Sequence, residues 1–117
     1  MLLRELIDLL GCEAVWGAEL LDCLEVTACF AADLMSDVLA FSRPGALLMT
    51  GLASIQSAHT ADVADLAGIL FVAGKRPAPP VLELARDKRI PLLTTPLTMF
   101  EACGRLWARG LQPGVRS

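Results

Sequence analysis

The residues best suited to chemistry fall in three short groups: Thr50, Gly51 and Ser54; Gly74, Lys75 and Arg76; Thr94 and Thr95. Their types suit a small anion. Gly51, with no Cβ, admits close backbone approach, and a helix starting just after it offers unpaired N–H groups. Lys75 and Arg76 bring positive charge, and Thr94 and Thr95 bring hydroxyl groups. The same residues also have a plainer use, since glycines turn a chain, threonines cap helices and a Lys-Arg pair solubilises a loop. No poised acid, base or nucleophile accompanies them, so the site reads as a binding site and the chain as a non-enzyme.

Other motifs fail on spacing or context. The run from Gly68 to Arg76 superficially resembles a phosphate-binding P-loop. It has one residue too many between its glycines, and Arg76 stands where Ser or Thr would hold magnesium. Neither G-x-G-x-x-G nor G-x-S-x-G occurs. His59, beside Thr60 and near Asp62 on a helical stretch, reads as a surface or packing residue. Asp33 and Asp37 suit a helix cap and a solvated neighbour better than a metal pair. Trp16 and Trp107 read as core or interface aromatics. Cys12, Cys23, Cys29 and Cys103 form no C-x-x-C pair, and with a single histidine they predict reduced thiols rather than a metal or iron–sulfur centre. Cys103, on an inward helical stripe, reads as an inert thiol. No cofactor is expected.

The elements that must position these groups follow from hydrophobic pattern. The stretch GALLMTGLASIQSAHTADVADLAGILFVAG places two doubly apolar runs, 46–50 and 69–72, around a segment long enough for a crossover helix, 54–66. That is a βαβ unit. Upstream, residues 2–10 carry Leu3, Leu6, Ile7 and Leu10 on one face and end at Gly11, which predicts a helix. An edge strand over 12–16, a connector over 17–22 and a strand over 25–30 follow. Asp33 is the expected N-cap of a helix over 34–41 that buries Leu34, Met35, Val38 and Phe41. Downstream, the proline-rich loop 75–80 leads into a helix over 81–88, begun by Pro79 or Pro80, and a strand over 90–94. Thr98 and Glu101 have capping-box spacing for a last helix to about Arg109, with Met99, Ala102, Cys103 and Leu106 inward and Glu101 and Arg105 paired at i, i+4.

The expected fold is therefore α/β: a single domain over 1–111 with a mostly parallel central sheet flanked by helices, and a flexible tail over 112–117. In such sheets ligands bind outside the carboxyl ends of the strands, where all three residue groups lie. A net charge of −3 disfavours nucleic acid and anionic membrane as main partners. The amphipathic first segment is no signal-peptide core, and no apolar run spans a bilayer, so a cytoplasmic location is expected. The 55% hydrophobic content fits buried parallel strands or an apolar face covered by a second subunit.

Three stretches carry a family resemblance: Arg43-Pro44-Gly45-Ala46-Leu47-Leu48-Met49-Thr50-Gly51, Ala67-Gly68-Ile69-Leu70 and Ile90-Pro91-Leu92-Leu93-Thr94-Thr95-Pro96. With their order, they resemble the DRTGG domain, an accessory module found beside CBS domains and in some phosphotransacetylases. It is similar in fold to the N-terminal, non-catalytic domain of HPr kinase/phosphorylase. The resemblance runs from about Leu3 to Leu111. The segments Met35 to Phe41 and Thr98 to Gly104 resemble stand-alone members, often encoded near iron-only hydrogenase and related redox genes. The resemblance implies a frequently dimeric regulatory or ligand-sensing domain without established catalysis, here a homodimer tied to an anionic small molecule or a redox enzyme partner. The chain departs from the pattern where Leu52-Ala53 follow Gly51, many members having Asp-Arg there, and where Ala73-Gly74-Lys75 replaces a Thr-Gly-Gly-like turn. These departures shift the expectation toward protein binding.

Overall fold

The computed structural model describes residues 1–116. The elements run α1 (Leu3–Leu10), β1 (Glu13–Trp16), β2 (Ala28–Ala31), α2 (Met35–Phe41), β3 (Leu47–Thr50), α3 (Ile55–Val63), β4 (Gly68–Phe71), α4 (Pro79–Lys88), β5 (Leu92–Thr94), α5 (Met99–Ala108) and β6 (Gln112–Pro113). They form the mostly parallel α/β domain that the apolar runs predict. The sheet order is β1-β5-β4-β3-β2-β6, and only the β1–β5 pair is antiparallel.

Handedness explains the layers. From β2 to β5 the chain steps one strand at a time in a single direction, so right-handed crossovers place α2, α3 and α4 on one face. There Met35, Val38, Ala58, Ala61, Val81 and Ala85 meet Leu48, Ile69, Phe71 and Leu92. The opposite face belongs to α1 and α5, whose Leu3, Leu6, Leu10, Ala102 and Leu106 cover Leu47, Met49, Leu70 and Leu93. Every residue of β3, β4 and β5 is buried, as strands covered on both sides must be.

Local signals set the helix ends. Gly11, at φ 62°, ends α1. Pro79 and Pro80 open α4, where a missing N–H costs nothing. Thr98 and Glu101 form the expected reciprocal capping box on α5.

Five expectations need correction. The strand foreseen over 25–30 forms over Ala28–Ala31, because the Val26 N–H donates to the Met1 carbonyl instead of joining the sheet. Leu34 and Phe41 are 60% and 55% exposed, leaving Met35 and Val38 to anchor α2. Asp33 does not cap α2; Leu34 occupies that position with no side-chain cap. Arg105 does not pair with Glu101, which serves the capping box, and donates instead to the Leu9 carbonyl at 3.1 Å. The stretch after Leu111 is no loose tail over 112–116. Gln112 and Gly114 donate to the carbonyls of Thr27 and Cys29, making β6 an edge strand parallel to β2, and Arg116 donates to the Phe41 carbonyl. Ser117 lies outside the described residues.

Gly114 is where this edge presses closest. A Cβ there would meet the Ala46 Cβ at 2.7 Å and the Cys29 carbonyl carbon at 3.1 Å, neither at the end of a flexible side chain. Gly114→Ala is expected to cost roughly 1–3 kcal/mol, as overpacking does. Urea unfolding reads the loss, and an unchanged midpoint would show that the edge yields freely.

Candidate functional site

The predicted residues lie at the carboxyl ends of parallel strands, as expected. Thr50 pairs with Phe71 and Phe71 with Thr94 in register, so β3, β4 and β5 finish side by side. The loop after β4 leads to α4 on one face and the loop after β5 leads to α5 on the other. That divergence between neighbouring strands is the topological switch point where open α/β sheets form crevices.

Here the crevice is laced shut by its own loops. The N–H groups of Ala73 and Gly74 donate to the carbonyls of Leu97 and Thr95 at 2.8 and 2.9 Å. Thr94 Oγ1 donates to the Lys75 carbonyl at 2.7 Å, and Thr95 Oγ1 to the Leu10 carbonyl at 2.6 Å. Both hydroxyls, expected to face a ligand, are buried and bind backbone. The Ala73–Gly74 turn is left-handed at both residues, φ 55° and 69°, and the alanine bears that conformation against its preference. Arg76 is also committed: its Nη2 donates to Glu13 Oε2 at 2.7 Å, tying the loop to β1. The Glu13 pairing raises the Arg76 pKa, and Arg76 holds the Glu13 carboxyl below its ordinary range. Lys75 is exposed and has no carboxylate partner among the described residues.

The loop after β3 is organised by a residue the sequence assigns elsewhere. Asp33 Oδ1, just beyond β2, accepts from Gly51 N at 2.7 Å and from Thr50 Oγ1 at 3.0 Å. Thr50 Oγ1 in turn accepts from Leu52 N at 3.1 Å. Gly51 therefore has its amide occupied, and its open side faces the Asp33 carboxylate, 3.6 Å from where a Cβ would sit. Ser54 stands at the N-terminal end of α3 with its hydroxyl buried and without a partner among the described residues. The carboxyl end of β2, residues 31–33, is one of the strand ends that the sequence places on this rim; what the sequence misses is that Asp33 there binds the β3 loop rather than capping α2. Asp33→Ala is expected to speed hydrogen exchange at the Gly51 amide about tenfold relative to the β4 amides, as a local opening would. Equal protection in the variant would show that the carboxylate does not hold the loop.

A separate cavity of 190 Å³ lies under α5, lined by Cys29, Ala31, Cys103, Trp107, Leu111 and Pro113 among others, and by none of the predicted site residues. Among the described residues no cluster of three or more His, Cys, Asp or Glu side chains could hold a metal, and no helix is long and apolar enough to cross a membrane.

Strand order, layers and rim together define a mostly parallel α/β domain with helices on both faces of its sheet. A solved structure shares this fold: the CBS and DRTGG domains of the regulatory region of Clostridium perfringens pyrophosphatase, in complex with its activator diadenosine tetraphosphate. The TM-score is 0.68 at 18% identity, over 94% of this chain and 47% of that one, so the chain spans about half the length of this neighbour. No family model matches the sequence, and none of the curated proteins matches it.

Proposed function

We propose that the chain is a non-enzymatic regulatory domain that senses a small anionic molecule at the rim beyond β3 and β4. The carrying observation is the pair of uncommitted polar groups on these adjacent strand ends: the Lys75 ammonium and the buried Ser54 hydroxyl. Thr50, Gly51 and Gly74 shape the surrounding backbone, while Arg76, Thr94 and Thr95 hold the loops that carry Lys75. A ligand drawing these loops together would shift a homodimer or partner equilibrium by its differential affinity for the two arrangements. The solved neighbour is a regulatory region bound to a nucleotide activator, which favours a nucleotide-like anion. Calorimetry against nucleotides and phosphorylated metabolites tests the reading. Binding that Lys75→Ala weakens supports it; uniform silence removes the sensor.

A second reading, an assembly partner for a redox enzyme complex of the hydrogenase type, is favoured by Phe100 and Trp107 on α5, which are 83% and 70% exposed. Capture of redox subunits by the wild-type chain and not by a Phe100→Ser, Trp107→Ser variant would support it. Equal capture by both would remove this face from the account.

A further inference from the structure

Sequence spacing scatters the sulfur atoms of this chain, but the fold gathers some of them. Cys29 and Cys103 both line the cavity beneath α5. Parallel pairing sets Cys29 opposite Leu47 and Ala31 opposite Met49, so Cys29 and Met49 project from adjacent strands onto the same face of the sheet. From above, Cys103 Sγ reaches Met49 Sδ at 3.5 Å. Two thiols and a thioether thus converge from β2, β3 and α5 on one apolar spot. Besides the thiols, only Gln112 and the Trp107 indole N–H bring polar groups among the cavity's lining residues, and no carboxylate or imidazole lines it.

We infer that Cys29, Cys103 and Met49 form a binding site for a soft monovalent cation of the copper(I) class. Thiolate and thioether donors select such ions, whereas zinc calls for four ligands of thiolate, imidazole or carboxylate type. Met49 is fully buried against Cys103, behind the cavity wall, and the cavity that Cys29 and Cys103 line gives the ion a path from solvent. On binding, each thiol gives its proton to solvent and its sulfur lone pair to the metal; no electron is transferred. Burial raises the pKa of both thiols, so proton loss there is driven by the incoming cation. Cys23, which is exposed, and Cys12 do not line this cavity.

The test is an anaerobic titration of the reduced full chain with copper(I) against a chromophoric copper(I) chelator. One copper(I) per chain is expected, with affinity falling at least about a hundredfold in the Cys29→Ala, Cys103→Ala double variant, which removes both thiolates. The Cys12→Ala, Cys23→Ala variant is expected to bind as wild type, and a tenfold excess of zinc is expected not to compete. Loss of binding in the Cys12, Cys23 variant alone, or displacement by zinc, overturns the assignment. Copper X-ray absorption of the wild-type chain, where no substitution disturbs folding, is expected to count three sulfurs. A count of two, or any nitrogen or oxygen neighbour, overturns it as well.

Discussion

Phe71→Ala is expected to remove about 3–5 kcal/mol of folding stability, the usual cost of truncating a fully buried phenylalanine. Phe71 is 0% exposed and closes β4 on the face covered by α2, α3 and α4, where several helix contacts are alanines, Ala58, Ala61 and Ala85. Such short side chains cannot reach into the space a phenyl ring leaves, so little of the cavity would collapse. Its backbone is held independently: Phe71 pairs with Thr50 and Thr94, and its carbonyl accepts from Thr95 N at 3.0 Å. The loss should therefore appear as lower stability and not as a lost strand. Domains of this size have only about 5–15 kcal/mol in hand, so the variant stands near the threshold of folding. Urea unfolding followed by circular dichroism measures it. A loss below about 1 kcal/mol would show that the helix layer closes over the gap.

Stability is also expected to fall steeply above pH 9. Burial pushes the Cys29 and Cys12 thiols up from 9.0 to about 12, in Cys12 against a weaker opposing hydrogen bond with Thr95. The sign follows from proton counting. Between the unfolded and folded values the unfolded chain has released protons that the native thiols keep. Raising the pH through that window therefore favours unfolding, while below pH 9 the contribution is complete and flat. For Cys29 the expected slope is about 1.4 kcal/mol per pH unit. Cys12, more open to solvent, adds a smaller screened share. The chain has no tyrosine, so no phenol titration overlaps this window. Denaturant unfolding between pH 8 and 11 reads the slope, and Cys29→Ala should flatten it whatever it does to the absolute stability. An unaltered slope in that variant would assign the alkaline loss to other groups.

What could be read in advance was what depends on neighbours in sequence. The doubly apolar runs identified β3 and β4, and the alanine-rich span between them identified α3, because burial on both faces leaves no alternation to misread. The capping box at Thr98 is three residues wide and forms as written. Misreadings arose where a distant partner claims a group. Asp33 has the type of a helix cap, yet Gly51, across the neighbouring strand, takes its carboxylate. Arg76 reads as a free cation, yet Glu13 occupies it from the other end of the chain. Thr94 and Thr95 read as ligand donors, and backbone carbonyls claim both. Residue type sets what a side chain can bond to; the fold decides which candidate arrives first. A Gln-Pro strand such as β6 has almost no β propensity, and only the side-on position beside β2 makes it one.

The direction of β6 has a consequence for what the open flank of the sheet can pair with. Gln112 and Gly114 turn their N–H groups inward to β2, so the intervening residue is the one whose amide would point outward, and that residue is Pro113. The exposed flank of the sheet consequently has no hydrogen to offer there, and an approaching strand finds no donor to begin a ladder. One imino acid thus ends the sheet sideways. Pro113→Ala would restore the missing donor and open that flank to edge-to-edge pairing, which light scattering at rising concentration would reveal.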